Sequence, residues 1–228
     1  MVWSGFTLDW YVKMAKDKNL MLALATSVKV ALASSAISAV LGTLGAYAVG
    51  KFGKRVQTLV SGFMYVPLMI PEIIMGVALL LFFSVIPVRY GMPTLIISHT
   101  TFCLPYIFIM VSVRLKTIDP SVIEAARDLG ASRAQVFFTV ILPLIIPAVL
   151  TGSLLSLAMS FDDVVISFFL DSPETPMLPV QIFSMLKLGV TPSVNALFSV
   201  IFFTIFLIVG IYQVLGRRVF NRHEENPE

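Results

Sequence analysis

Three carboxylates in this sequence stand inside long apolar runs, where ionisable side chains are rare. Glu72 occurs in PLMIPEIIMG, and Asp162 and Asp163 are adjacent in AMSFDDVVIS. A charged group in an apolar span is costly and by default indicates a functional site. Carboxylates bind cations, so the three residues predict a cation path, with Glu72 deeper and the aspartates near the outer mouth. The alternatives are structural: Glu72 could bind a backbone amide freed by the neighbouring prolines, and the aspartates could cap or pack helices.

Residues for covalent or metal chemistry form no recognisable pattern. There is no His/Cys/Asp cluster with metal-ligand spacing and no Ser/His/Asp arrangement, so we expect no catalytic residue and no metal site. Cys103 and His99 lie in apolar runs and are expected to pack there. The stretch GAYAVGKF approaches a phosphate-binding loop, but Phe52 replaces the required hydroxyl. We therefore expect no nucleotide site in this chain.

Composition places these residues in an all-α integral membrane protein. Of the 228 residues, 57% are hydrophobic and 13% are charged, whereas soluble domains have about 25% charged residues. A bilayer-spanning helix needs about 20 mostly apolar residues, and about five segments qualify. These segments are residues 22–49, 57–86, 92–113, 144–170 and 196–215, within a transmembrane domain of residues 22–216. The net charge of +3 is small and the basic residues are scattered, so we expect membrane lipid and no nucleic acid as a partner.

The distribution of basic residues predicts the orientation, because cytoplasmic loops are enriched in Lys and Arg. One set of loops contains Lys51, Lys54, Arg55, Arg114, Lys116, Arg127, Arg133, Arg217, Arg218 and Arg222. The opposite set contains Arg89, Lys187, Lys13, Lys16 and Lys18. The loop 114–143 and the tail 217–228 are therefore predicted to be cytoplasmic, and the loop 171–195 external. The N-terminal segment 1–21 is aromatic enough to lie at the outer membrane interface.

The long cytoplasmic loop is predicted to contain two short helices. Asp119 precedes a proline and suits a helix start. Gly130 suits the left-handed residue that ends the first helix, and Ser132 can cap the second. Between them, Ala125 and Ala126 leave a thin, approachable surface. Such a loop is either a docking surface or an ordinary helical connection, and local physics leaves both interpretations open.

The first predicted span contains a ridge of small residues. Small residues recur every fourth position and allow another helix to approach closely; they are Ser34, Ser38, Gly42, Ala46 and Gly50.

In the external loop, VQIFSMLKLG predicts a short helix with Phe183 and Lys187 one turn apart on one face. That helix could gate the outer mouth of the cation path, or it could be an ordinary surface element.

The cytoplasmic loop resembles the EAA signature of the permease subunits of ABC importers. The match comprises Glu124, Ala125, Ala126, Gly130, Val140, Leu142 and Pro143, with Val140 where most family members have Ile. In that family the loop forms a coupling helix, which sits in a cleft of the cytoplasmic ATPase and passes its closure to the spans. The resemblance implies the transmembrane domain of a type I ABC importer, with Glu124 fixing the coupling helix and with no enzymatic activity.

Over residues 5–216 the chain is similar to the permeases of spermidine/putrescine importers. The similarity is carried by GFTLDWY, SHTTFCLPYIF, RLKTIDPSVIEAARDLGAS, LSLAMSFDDVV and LPVQIFSMLKLGVTPSVNAL. It implies a multi-pass protein of the bacterial inner membrane with a polyamine as its substrate. The implied partners are a second homologous permease, two copies of an ATPase that binds ATP and magnesium, and a periplasmic binding protein. Such permeases generally have six spans, so five indicate either a shortened start or a five-span version.

Other functions are less consistent with these residues. An importer for an amino acid, iron, phosphate or sulfate would share the loop, although an anion would fit poorly beside three carboxylates. A self-sufficient secondary carrier would show an inverted repeat and ion sites, and neither is recognisable. A membrane enzyme would need a nucleophile or a metal constellation. The sequence does not rank spermidine against putrescine.

Overall fold

The computed structural model describes residues 7–188, 192–204 and 206–207, and it is helical with no β-strand in those ranges. This confirms the all-α prediction. The helices are α1 (Asp9–Lys16), α2 (Lys18–Val49), α3 (Lys54–Met69), α4 (Glu72–Val85), α5 (Met92–Lys116), α6 (Pro120–Asp128), α7 (Arg133–Gln135), α8 (Leu142–Asp162), α9 (Val165–Leu170), α10 (Leu178–Leu188) and α11 (Pro192–Thr204). A π-helical segment, Val136–Ile141, joins α7 to α8.

Fewer helices than predicted are long and apolar enough to cross a bilayer. Within the described residues there are three, Lys18–Val49, Met92–Lys116 and Arg133–Asp162, or four if α3 and α4 form one broken span. Part of the fifth predicted span, 196–215, lies outside the described residues, as does the predicted cytoplasmic tail.

The predicted span 57–86 is not one helix, because α3 and α4 meet at an angle of 102°. Pro71 has no N–H to continue the helical hydrogen bonds. A proline also disfavours helical geometry in the residue before it, and Ile70 is extended, with ψ 131°. The predicted span 144–170 is likewise divided, since α8 ends at Asp162 and Asp163 is extended, with ψ 117°. Both breaks lie beside the carboxylates singled out from the sequence.

Contacts divide the chain into two compact units. One comprises Leu22–Phe183, and the other comprises Met1–Met21 with Ser184–Glu228. In the second unit, the Tyr11 hydroxyl and Ser199 Oγ lie 3.0 Å apart and link α1 to α11. The first unit contains the three carboxylates and the loop 114–143, so it carries the candidate site residues other than Lys187.

Three helices of the first unit approach closely at Ile107, which is fully buried on α5. A Cβ at Gly42 of α2 would lie 3.1 Å from Ile107 Cβ and from the Phe108 backbone nitrogen. A Cβ at Gly152 of α8 would lie 3.2 Å from Ile107 Cα. Farther along α2, Ser38 Oγ donates a hydrogen bond to the Thr100 carbonyl. The small-residue ridge therefore packs against another helix, as the sequence predicted.

Gly42→Leu tests this close approach. We expect it to lower the free energy of unfolding by about 1–3 kcal/mol, because the added side chain has no space beside Ile107. Gly62→Leu on α3 is the matched control, since no atom lies within 4 Å of where its Cβ would stand. Thermal unfolding of the detergent-solubilised chain measures both effects. Equal melting temperatures for the two variants would contradict this packing.

Candidate functional site

A cavity of about 440 Å³ lies where the two helix breaks face each other in the first unit. It brings together all three carboxylates predicted from the sequence. Its walls are Pro67, Leu68, Ile70, Glu72, Met75, Phe102, Tyr106, Ala158, Met159, Asp162, Asp163, Val164, Val165 and Ile166. Phe183 is not among them, and Lys187 lies in the second unit. The proposed gating helix is therefore not part of this cavity wall.

Glu72 is the first residue of α4, so it does not lie in the middle of a continuous span. Its side chain is exposed, and it forms no hydrogen bond or ion pair with any residue that the structure describes. The first turn of a helix carries partial positive charge from its free amides, so it is a favourable position for an acidic side chain. Glu72 is thus an exposed acidic side chain at the cavity wall.

Asp163 forms the cap of α9 and is 9% exposed. Its Oδ1 accepts a hydrogen bond from the Ile166 amide at 3.2 Å. Its Oδ2 accepts from the Ser167 amide at 2.7 Å and from the Ser167 hydroxyl at 2.8 Å. These bonds satisfy amides that the helix itself leaves unpaired. The capping role considered for the aspartate pair therefore describes Asp163.

His99 extends this cap into a buried chain of polar groups. Ser167 Oγ lies 3.2 Å from His99 Nε2, and Ser160 Oγ lies 2.7 Å from His99 Nδ1. Because the Ser167 hydroxyl donates to Asp163, its oxygen accepts from Nε2–H of His99. His99 Nε2 is also 3.7 Å from Asp163 Oδ2. Ser34 Oγ on α2, 3.2 Å from Ser160 Oγ, completes the chain.

The members of this buried chain come from four helices: α2, α5, α8 and the start of α9. His99, Ser34, Ser160 and Ser167 are all fully buried. A packing role for His99 was predicted, but its partners were not. They occur in apolar runs far apart in the sequence, and no spacing rule connects such runs.

Asp162 differs from Asp163 in its exposure and in its hydrogen-bond partners. It is the last residue of α8, its side chain is exposed, and no described residue forms a hydrogen bond or ion pair with it. Both aspartates border the cavity, but the oxygens of Asp163 are bonded to α9, whereas the exposed side chain of Asp162 is not. The two cavity carboxylates without partners are therefore Glu72 and Asp162.

Aromatic and thioether side chains complete the cavity and were not singled out from the sequence. Phe102 and Tyr106 are one turn apart on α5, and Met75 and Met159 lie on α4 and α8. Aromatic faces attract ammonium groups. The four-residue spacing of the two aromatic residues was visible in the sequence, but an apolar span contains many such pairs. Only the cavity distinguishes this one.

The loop 114–143 forms the helices that its capping residues predict. Asp119 Oδ1 accepts from the Ser121 amide at 2.9 Å, and this hydrogen bond lowers the pKa of the Asp119 carboxyl. Gly130 is left-handed, with φ +83°. Ser132 and Gln135 form a reciprocal capping box at the start of α7. Both helix starts and the helix end are thereby confirmed.

The surface of α6 differs from the prediction at one alanine. Glu124 and Ala125 are exposed, and Leu129 is 89% exposed just beyond the helix end. Ala126 instead packs, half-buried, against the cluster that contains Val136 and Phe137. Consecutive residues of a helix point about 100° apart, so Ala126 faces this cluster while Ala125 stays exposed. The approachable surface is therefore formed by Glu124, Ala125 and Leu129.

Leu142 and Pro143 lie at the junction between this loop and α8. Leu142 packs half-buried against the same cluster, and Pro143 is exposed in the first turn of α8. Pro143 cannot donate the hydrogen bond that a continuous α-helix would require. The backbone before it is accordingly π-helical, and the Leu142 amide donates to the Phe137 carbonyl. The loop thus continues into α8 without a turn.

The chain is similar to known transport proteins. A family model described as "binding-protein-dependent transport system inner membrane component" matches residues 38–221. The spermidine/putrescine transport system permease protein PotC of Haemophilus influenzae is 38% identical over 97% of this chain and 85% of its own. The putrescine transport system permease protein PotI of Escherichia coli is 36% identical over 94% and 76%. A crystal structure of a bacterial ABC transporter that imports alginate has a TM-score of 0.73 at 16% identity, covering 94% and 85%.

Asp163→Asn is expected to lower the free energy of unfolding by about 1–3 kcal/mol, because an amide nitrogen replaces one of two occupied acceptor oxygens. Asp162→Asn is the matched control, and as an exposed residue without partners it should change that free energy by less than about 0.5 kcal/mol. Thermal unfolding in detergent provides the comparison. Equal destabilisation by the two substitutions would contradict the separate environments of the two aspartates.

Proposed function

Because the chain belongs to the family of binding-protein-dependent transport system inner membrane components, we propose that it is the permease subunit of an ATP-driven importer for polyamines. The observation that carries the substrate class is the cavity with two carboxylates, Glu72 and Asp162, that form no hydrogen bond or ion pair with any described residue. The relatives PotC and PotI are permeases for spermidine/putrescine and putrescine, which agrees with this class.

The cavity chemistry suits an elongated molecule with several ammonium groups. Charge-assisted hydrogen bonds between ammonium and carboxylate groups are short and about twice as strong as neutral ones. The faces of Phe102 and Tyr106 add a second means of holding a cation. An anionic solute such as phosphate or sulfate would be repelled here.

The exposed surface of α6 supports the proposed coupling to an ATPase. In this proposal Glu124, Ala125 and Leu129 contact a cytoplasmic ATPase subunit, which binds ATP and magnesium and performs the hydrolysis. This chain itself moves the substrate without covalent chemistry. A second homologous permease, a second ATPase copy and a periplasmic binding protein complete the importer. The C-terminal tail lies in the cytoplasm with the loop.

Transport in this proposal follows alternating access. The loaded binding protein docks outside, and closure of the two ATPases opens the cavity outward through the coupling helices. The polyamine then enters, and hydrolysis resets the inward-facing state. A gating role for Phe183 and Lys187 stays a prediction, because neither residue lies in the cavity wall.

Asp162→Asn tests the substrate path. We expect the KM for spermidine uptake to rise by about tenfold, because one charge-assisted contact is lost. The assay uses radiolabelled spermidine in cells without their own polyamine import, with all subunits of the importer restored. Glu174→Gln is the control, since Glu174 is exposed, pairs with Arg89 and lies outside the cavity. Unchanged uptake in Asp162→Asn would contradict the proposed acidic path. If the intact importer takes up no spermidine, the proposal that its substrate is a polyamine is contradicted.

Ala125→Glu tests the docking surface. We expect it to abolish copurification of the ATPase while membrane insertion stays normal, because a buried unpaired charge at an interface costs several kcal/mol. Ala134→Glu is the matched control, being the same substitution at another exposed alanine of the loop. Subunit stoichiometry after affinity purification in detergent gives the result. If Ala125→Glu fully retains the ATPase, this surface is not part of the interface between the two subunits.

A further inference from the structure

The short helix α9 contacts the elements that carry both free carboxylates. On one side it packs against α4 at Gly76, one turn after Glu72. A Cβ at Gly76 would lie 2.5 Å from Cδ2 of Phe169 on α9, so the aromatic ring rests directly on the α4 backbone. A shift of α9 towards α4 would therefore press this ring against the α4 backbone, one turn from Glu72.

On its other side α9 is fixed at its first turn by Asp163. Both oxygens of this carboxylate bind α9 through Ile166 and Ser167. His99 holds the same Ser167 from α5. Asp162 is the residue immediately before this clamp, so its direction depends on the break that Asp163 and His99 stabilise.

The two carboxylates are thus connected through one six-residue helix. The connection runs from Asp162 through the Asp163 cap to α9, and from Phe169 through Gly76 to Glu72. We propose that α9 is a spacer that sets the distance between Glu72 and Asp162, and thereby the length of the linear amine that the cavity accepts. This inference rests on the proposed function. In it, His99 and Asp163 are positioning residues that do not touch the substrate.

The physical basis is the requirement that one molecule reach both charges. When two binding groups are joined by a linker, the second contact forms only if the linker spans the two sites, and it is strongest when the lengths match. A diamine that is too short reaches one carboxylate and leaves the other without a partner. A longer triamine can still engage both. A small displacement of α4 from α9 is therefore expected to change the preference for one amine length over another. It should have less effect on the general preference of the cavity for positively charged molecules.

Gly76→Ala is the most direct test, because the added methyl group must push Phe169 and α4 apart. The complete importer is reconstituted in proteoliposomes, with the binding protein saturated by one amine at a time so that its own preference does not enter. Maximal uptake rates are then compared for the diamine putrescine and the longer triamine spermidine. We expect the putrescine rate to fall relative to the spermidine rate by roughly tenfold, the lower range of selectivity for small differences in ligand size.

Three further variants distinguish an effect of the distance between Glu72 and Asp162 from a general loss of transport activity. Gly62→Ala, where an added Cβ meets nothing within 4 Å, should leave the ratio of the two rates unchanged. Phe169→Leu in the Gly76→Ala background should restore the ratio, because the smaller side chain gives back the lost space. Ser167→Ala, which loosens the clamp without touching α4, should bring the two rates closer together.

The outcomes are distinct. An equal loss of both rates in Gly76→Ala, with no restoration by Phe169→Leu, would overturn the spacer role and leave α9 as a packing element. If Gly76→Ala does not insert, Phe169→Leu alone and Ser167→Ala decide: a changed ratio in both supports the spacer, and an unchanged ratio in either overturns it. If the intact importer moves neither amine, the proposed function fails and the inference fails with it. If the importer moves both amines and the variants leave the ratio of the two uptake rates unchanged, the spacer role is overturned and the proposed function stands.

Discussion

The hydrogen-bonded cap on Asp163 is the interaction on which the cavity depends. A carboxylate that is 9% exposed is stable in an apolar interior only if its oxygens are occupied. Two amides and one hydroxyl of α9 occupy them, and His99 fixes that hydroxyl from α5. The same bonds satisfy the amides at the start of α9, so the helix break and the buried carboxyl group stabilise each other.

The second break follows from a different constraint. Pro71 removes a backbone donor and makes Ile70 extended, so α3 ends and α4 begins at Glu72 with a bend of 102°. Irregular backbone at membrane depth is tolerated where it lines a cavity or is buried in protein, and both breaks line the same cavity. One break is thus imposed by a missing hydrogen bond and the other by an added side-chain hydrogen bond. Each leaves one carboxylate facing the cavity.

The sequence predicts those features that depend on local chemistry. The caps at Asp119 and Ser132, the left-handed Gly130 and the close approach at Gly42 all follow from residue type and spacing. The sequence also identifies the three carboxylates, but it does not assign different roles to Asp162 and Asp163. That difference depends on His99 and Ser167, which only the tertiary structure brings to Asp163. The inward position of Ala126 and the angle at Pro71 are likewise set by packing partners that periodicity does not name.

For the coupling proposed above, the continuous helix between the loop and the cavity is a mechanical route. The stretch Arg133–Asp162 is one helical segment of 30 residues, with α7 at the loop and Asp162 at the cavity. Coupling between distant sites needs an element that both sites can bias, and a helix anchored at both ends is suited to this role. Near the loop it packs through the π-helical segment against the cluster under α6. At its far end the Asp163 cap ties it to α9 and so to α4. A pull on α6 can therefore reach both carboxylates through packed helices, without any flexible connection between them.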